Sequence, residues 1–520
     1  MKSKHLLLTV SLFLLFDLVN AQNSEFLMDN VYNLTVSNGE LFLNGRDPIT
    51  ENNTLWVSDG TATGFKLLKE LTVMSGIIEC NGLNYFVTKD DEYNAELWTT
   101  DGTATGTTLV KKLKPAKATE VTILCAFNNK IYFIGNDAEH GRELWVSDGT
   151  ENGTKLFKDI NPGVENGMKY SFAIVYKNKM FFNGDSGSNN ELWVSDGTEA
   201  GTKLFNDINP AGSTDFFRPS IVGDKMYFNA FTKKEGYELW VSDGTAKGTH
   251  LIKDIAPNNK NSIIGKAIEF NGKAYFIVDR SWKATQLWST DGTEAGTIMV
   301  EDSVTGFDIA VFNGELYFGK IVGENVVSHN IDLYKTKGKP DEGSLLKALS
   351  SGNNIYKPEG FVTANGKLYF FCYYGGGGAI LNHELWETDG TAAHTKQVEF
   401  SPGNLVNVNS LISYKNALYF TDYKTLYRIG TPSTAVAEIA NNNFEMKLYP
   451  NPTTEQLTIK TDSKLIGSNY SVLNIMGQTV RSGKVISDNT LLEVGGLPSG
   501  IYLVKIHSKD GRSVSRFVKE

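Results

Sequence analysis

Glu191–Thr198 reads ELWVSDGT, and the chain keeps returning to these letters. Copies stand at Thr54–Thr61 (TLWVSDGT), Glu96–Thr103 (ELWTTDGT), Glu143–Thr150 and Glu238–Thr245 (both ELWVSDGT), Gln286–Thr293 (QLWSTDGT) and Glu384–Thr391 (ELWETDGT). The tryptophans fall at 56, 98, 145, 193, 240, 288 and 386, a step in the forties until one beat is skipped. DLYKTKG at Asp332–Gly338 fills that beat with Tyr334 in the Trp place, and TLYRIG at Thr425–Gly430 is a last worn copy. A fixed period of this size marks a propeller or a solenoid.

Each unit has a second recurring half. Asn-Gly-like turns between apolar runs occur as VSNGELFL (36–43), FNNKIYFI (127–134), YKNKMFFN (176–183), VGDKMYFN (222–229) and FNGKAYFI (270–277). FNGELYFG (312–319), ANGKLYFF (364–371) and YKNALYFT (414–421) continue the series, with ECNGLNYF (79–86) a looser member. Asn-Gly between two β-prone runs is a strong hairpin signal, because a type I′ turn needs positive φ at both central residues. Leu-Trp-Val-Ser alternates at strand period, Asp-Gly-Thr supplies a second turn, and a further strand such as KLFKDI (155–160) follows. Four short strands per unit without helical periodicity compose one propeller blade, in preference to a row of separate small β-domains. Nine units can be counted, but the last has no clear fourth strand before Pro432. Either Ser24–Met28 closes that blade or the unit is incomplete, so eight or nine four-stranded blades are expected.

With the strands named a to d, successive connections alternate between the two rims of the ring. The a–b Asn-Gly turns and c–d Asp-Gly-Thr turns therefore share one rim, which repeats. The b–c loops (TKDDEYNA, GNDAEHGR, GDSGSNN, DRSWKAT) and d–a loops (NPGVENGMKY, NPAGSTDFFRP) share the other, which varies. Uniform turns on one side and diverse loops on the other are the usual mounting of a binding site.

At 520 residues the chain exceeds one ordinary core, and 41% hydrophobic with 21% charged residues describes a folded protein. A net charge of −9 argues against nucleic-acid binding. Lys2 and Lys4 precede an apolar run from Leu6 to Phe16, with small residues up to Ala21: a secretory signal peptide over 1–21, cleaved after Ala21. No later stretch is apolar enough to cross a membrane. Cys80, Cys125 and Cys372 form no disulfide framework; Cys80 and Cys125 occupy similar places in adjacent repeats and pack as small apolar residues or pair.

ELWVSDGTENGTKLFKDINPG (143–163) resembles the bacterial ELWxxDGT-repeat family over roughly residues 30–430, secreted or surface proteins for which the resemblance implies no established reaction. The tail from Phe444 is similar to the type A C-terminal sorting domain of the type IX secretion system. The landmarks are Tyr449-Pro450-Asn451-Pro452, Asn474–Gln478 with Gly477, Leu497–Tyr502 with Gly500 and Tyr502, and the closing Arg516–Lys519. The resemblance implies export across the outer membrane of a Gram-negative bacterium by that machinery, with the tail often removed and the cargo released or held on surface glycolipid. Read from its residues alone, the tail is a β-sandwich with strands QLTIKT, YSVLNIM and GIYLVKIH. The expected fold is all-β: a multi-bladed propeller over 22–430, a linker over 431–443 and a small Ig-like sandwich over 444–520.

The recurring Asp of DGT reads as an Asx turn, with calcium the alternative, since one carboxylate per turn lacks the ligand set of a calcium loop. The repeated Trp reads as packing between blades rather than as sugar platforms. Trp282 in DRSWKAT stands outside the repeat frame on the variable rim, as do Tyr373 and Tyr374 before Gly375, and these suit contact with a glycan or a protein. Asp137, Glu139, His140 and Asp185 join them as ligand-binding candidates, with Asp90, Asp91, Glu235 and Asp279 as further loop carboxylates. No nucleophile motif, metal-ligand spacing or cofactor loop is present. The expected function is an exported surface module binding a glycan or protein; the alternatives are a polysaccharide hydrolase or lyase using loop carboxylates, or a structural envelope protein.

Overall fold

The computed structural model describes residues 24–432 and 446–520, less 48, 118–120, 138, 188, 211, 259, 280–284, 323–329, 350–354, 376–381, 399–407, 462, 475–478 and 509–510. The signal peptide with Ala21, Trp282, Gly477 and almost all of the linker lie outside the described residues. The chain separates into two compact units, residues 1–434 and 435–520.

In the first unit, the described strands form nine antiparallel four-stranded blades. Blade 1 runs from strand a at Val31–Ser37 to strand d at Phe65–Glu70, and blade 2 from Ile78–Cys80 to Thr108–Lys117. Blade 3 spans Thr122–Phe127 to Lys155–Lys158, blade 4 Ala173–Tyr176 to Lys203–Asn206, and blade 5 Phe217–Val222 to His250–Lys253. Blades 6 and 7 share one long strand, Ile298–Phe312, which ends the sixth and begins the seventh, with Val304 paired to Thr285 on one side and Lys320 on the other. Blade 8 runs from Ile355–Ala364 to Lys396–Gln397. Blade 9 takes Val408–Tyr414, Ala417–Asp422 and Thr425–Ile429 from its own segment, and its fourth strand is Ser24–Met28. The unit without a fourth strand of its own therefore borrows one from the other end of the chain.

Strand b carries an apolar run without polar interruption because both of its faces are covered. In blade 1, Leu41 and Leu43 pack in one cluster with Tyr414, Tyr419 and Leu426 of blade 9. Phe42 between them packs with Ile77 and Phe86 of blade 2. Side chains one residue apart on a strand point to opposite faces, so each blade supplies half of two cores. Nine such clusters, one per junction, run around the unit and include the junction of blade 9 with blade 1.

The motif tryptophan fills the same junction every time. Trp145 packs on the cluster of blade 2, Trp193 on that of blade 3, Trp240 on that of blade 4 and Trp288 on that of blade 5. Tyr334 and Tyr427 take the same seat against blades 6 and 8, as the worn copies required. Each of these rings is partly buried, and the aromatic area it covers stabilises the junction.

The second unit is a two-sheet sandwich. Met446–Tyr449, Gln456–Thr461 and Asn489–Glu493 form one sheet; Thr479–Lys484, Asn469–Asn474, Gly500–Ser508 and Gly511–Lys519 form the other. Leu457, Ile459, Val472, Val504, Ile506 and Phe517 fill the core between them.

Candidate binding face

The two rims differ in what their side chains are committed to. Eight of the nine a–b turns have positive φ at both central residues, for example Asn38 (50°) with Gly39 (73°) and Lys415 (47°) with Asn416 (61°). These are the type I′ turns the sequence called for. Five of the nine a–b turns reach across to the c–d turn of the next blade. Asn128 Nδ2 donates to the Asp196 carbonyl at 3.2 Å, Lys177 Nζ to Asp243 at 3.0 Å, and Lys225 Nζ to Asp291 at 2.7 Å. Asn313 Nδ2 donates to Asp389 at 3.1 Å and Lys415 Nζ to Asp59 at 3.0 Å, the last joining blade 9 to blade 1. The two turn types therefore share a rim.

The Gly of Asp-Gly-Thr is required there twice over. It sits at φ +92° in Gly60 and +90° in Gly149, and a Cβ would stand 2.4 Å from Tyr419 Oη in the first and 2.6 Å from Tyr85 Oη in the second. The preceding Asp closes its own turn. In Asp148, Oδ1 accepts the Thr150 amide at 3.0 Å and hydroxyl at 2.7 Å, the Asx turn expected from the sequence, and these bonds hold its carboxyl below the ordinary value.

At the opposite rim no contact recurs so regularly, except one that the sequence reading left unexplained. In blades 3, 4 and 5 the Glu of ELW is buried, where it receives the d–a loop. Glu143 accepts the amides of Ile160 at 2.7 Å and Gly167 at 2.6 Å, and Glu238 those of Ile255 at 3.1 Å and Ala256 at 2.9 Å. Glu191 accepts the Thr214 hydroxyl at 2.5 Å. Burial pushes Glu143 and Glu191 up to about 7 and Glu238 to about 8, the backbone amides opposing it in Glu143 and Glu238. Each of these carboxyls anchors one loop of the variable rim.

The loop residues singled out from sequence are placed as follows. Asp137 and His140 meet: His140 Nδ1 lies 3.0 Å from both Asp137 oxygens, and Oδ1 also accepts the amides of Glu139 and His140. Burial works to raise the Asp137 carboxyl, yet the His140 ring and the amides hold it below its usual value, and the same contact raises the His140 imidazole. Glu139 is exposed and contributes its amide to this turn. Asp185 belongs to the next blade and binds elsewhere, its Oδ2 2.5 Å from Lys169 Nζ and its Oδ1 accepting the Gly187 amide. Asp90 caps its own turn through Asn94, and Glu235 is held by Lys234. Tyr373 and Tyr374 end strand b of blade 8, paired with His383 and Asn382.

Sequence reading missed a group across blades 4 and 5. Phe172, before strand a of blade 4, lies 6.2 Å from Phe217, which opens strand a of blade 5. Phe217 meets Tyr237 edge-on at 5.4 Å, and Tyr237 meets Phe231 at 5.0 Å. Tyr237 Oη donates to Asp215 Oδ2 at 2.9 Å, and Asn190 Nδ2 donates to Asp215 Oδ1 at 3.1 Å. The available signal was compositional: the d–a loops NGMKYSF and TDFFRP are aromatic, whereas APNNKNSIIG is not.

In the second unit, Asn451 of the Tyr-Pro-Asn-Pro motif clamps the last strand. Its Nδ2 donates to the Arg516 carbonyl and its Oδ1 accepts the Val518 amide, both at 2.9 Å. The Thr453 amide donates to the Val518 carbonyl, and the Glu520 amide donates to that of Thr453. Tyr502 stacks on Phe517 with centroids 5.5 Å apart, and Lys519 is buried with its ammonium on the Glu520 carbonyl. Motifs 65 residues apart in sequence thus form one local structure. Residues 447–520 match the secretion system C-terminal sorting domain family.

The tail is a type IX sorting domain.

A sorting domain places the protein outside the cell, secreted or attached to the outer surface. No helix among the described residues is long and apolar enough to cross a membrane. No curated protein matches the chain. Among solved structures it is similar to a puromycin hydrolase mutant complexed with PGG (11% identity, 67% of this chain and 58% of that one, TM-score 0.36). It is also similar to the β-propeller domain of the Trilobed protease from Pyrococcus furiosus (13% identity, 62% and 96%, TM-score 0.32). A third likeness is to PorZ, a surface component of the type-IX secretion system of Porphyromonas gingivalis (11% identity, 96% and 100%, TM-score 0.18). The chain spans 58% of the length of the first of these. The blade count rests on the strand pairing described above.

Proposed function

We propose that this exported propeller is a binding module that engages a surface glycan or protein through its b–c and d–a loops. The division of the rims carries the reading. On one rim turns are spent on bonds between blades, and on the other the d–a loops of blades 3, 4 and 5 are anchored from beneath by the buried Glu143, Glu191 and Glu238. A rim built that way tolerates change in loop sequence without loss of the ring, which is what a recognition surface needs. Partnering with the type IX machinery through residues 444–520 delivers the module to where such ligands are found.

The test compares the full chain with a variant whose b–c loops of blades 2, 3 and 4 are replaced by two-residue turns. Both are applied to glycan arrays and to intact bacterial and host cells. The parent binds at least one surface and the variant loses it; equal binding by both overturns the reading. Steady release of reducing sugar from a polysaccharide panel, lost in Asp185→Asn, would favour the hydrolase or lyase alternative instead.

A further inference from the structure

Resting on that reading, we infer that the aromatic group across blades 4 and 5 is a subsite for a neutral glycan, with Tyr170 and Phe172 as the stacking platform. Three observations converge. First, Tyr170 and Phe172 are 46% and 36% exposed, two residues apart where the d–a loop enters strand a of blade 4. Isolated exposed aromatics are ordinary; here the exposed pair continues through Phe217 and Tyr237 into Phe231, and these three are half-buried. A platform backed by fixed rings loses little conformational freedom when a ligand lands on it.

Second, the chain on either side of Phe216 and Phe217 is held in left-handed backbone, Asp215 at φ 51° and Arg218 at φ 50°, neither of them glycine. Such conformations cost free energy and persist where surrounding contacts impose them, commonly at functional sites. The contacts are present: Asp215 is bound by Tyr237 and Asn190, and the Asn190 side chain, 3% exposed, leaves its Oδ1 without a partner. A buried amide oxygen left open beside a bonded carboxylate is a hydrogen-bond acceptor in reserve.

Third, the polar groups around the platform choose the ligand class. Asp215 is bound within the group, Lys169 is paired with Asp185, and the Arg218 guanidinium lies 5.9 Å from the Phe217 ring centroid. A pyranose offers an apolar C–H face to the rings and hydroxyls to carboxylates, an amide and an ammonium. Uronates and sulfated sugars would find both cations at the platform already engaged, Lys169 by Asp185 and Arg218 by the Ile264 carbonyl. The site therefore takes a neutral saccharide.

Affinity gel electrophoresis of the full chain, run in gels containing laminarin, xyloglucan, mannan, alginate or chondroitin sulfate, tests this. Retardation by at least one neutral polysaccharide is expected. Tyr170→Ala and Phe172→Ala should each weaken it roughly tenfold, since one well-placed aromatic contact carries on the order of that factor. Leu204→Ala, an exposed apolar residue on strand d of blade 4, should leave it unchanged, and all variants should keep the parent circular dichroism. Retardation only by alginate or chondroitin sulfate overturns the ligand class. Undiminished retardation of the two blade-4 variants, in a protein whose loop replacement abolishes binding, overturns the subsite and leaves the binding module standing. Cell adhesion without any glycan retardation does the same; absence of both sinks the two readings together.

Discussion

The two rims of this ring solve different problems with the same backbone. On the turn rim, one arrangement recurs: a left-handed hairpin reaches the carbonyl of the next blade, and a glycine leaves room for it. On the loop rim the recurring element is a buried glutamate under the d–a loop in blades 3, 4 and 5, and everything above it changes from blade to blade. Uniformity on the first rim makes variation on the second affordable, because the interfaces between blades are fixed before the loops are reached. The difference separates residues that hold the ring from residues that face a ligand.

The sharpest way to break the comparison is at the closing blade. Deleting residues 24–28 from the exported chain removes Leu27 from the core shared by blades 9 and 1 and strips Glu25 from the buried Arg428. Loss of the apolar contact alone costs about 2–4 kcal/mol, and a charged hydrogen bond about 2 more. Thermal unfolding followed by circular dichroism should fall by roughly 10 °C or lose its single transition. An unchanged transition would mean the ninth blade does not depend on the borrowed strand.

A smaller effect sets rim against rim with one chemical change. Gly149→Ala on the turn rim forces a Cβ to 2.6 Å from Tyr85 Oη at φ +90°, whereas Gly163→Ala on the loop rim, at φ +118°, meets nothing within 4 Å. The first should cost about 2–3 kcal/mol in urea unfolding and the second about 1 kcal/mol. Equal costs would show that the turn rim is not closely packed.

The smallest expected effect concerns pH. Burial pushes Glu238 up to about 8 and Glu143 and Glu191 up to about 7 in the folded chain, against 4.5 for an ordinary glutamate. A carboxyl raised on folding keeps more protons in the native than in the unfolded state, so stability declines as pH rises from about 5 to 8. Glu238→Gln should flatten the upper part of that slope in urea midpoints taken between those limits. A slope identical to the parent's would show that Glu238 is ionised at little cost.

Much of this was legible in the letters. The tryptophan period gave the blades, Asn-Gly gave the inner hairpins, and Asp-Gly-Thr gave the turn that its own threonine closes. The ninth blade could be posed only as a choice, because its fourth strand lies some four hundred residues away and five-residue strands carry little pattern. The role of the motif Glu was hidden for another reason: a repeated polar letter looks like surface, and only the folded loop shows the amides it accepts. The platform at Tyr170 and Phe172 was out of reach because it joins two d–a loops in neighbouring blades, and proximity across blades leaves no periodic trace. The loop carboxylates read as candidates proved to be bound locally, Asp137 by His140 and Asp185 by Lys169.

The strand at Ser24–Met28 pairs with Thr425–Ile429, so the two ends of the ring meet in one place. Joining points so distant adds little to the thermodynamic cost, about 0.6 kcal/mol for each doubling of the intervening length, but such pairings form slowly. The core shared by blades 9 and 1 is therefore completed from both termini of the ring, and losing either end leaves it open.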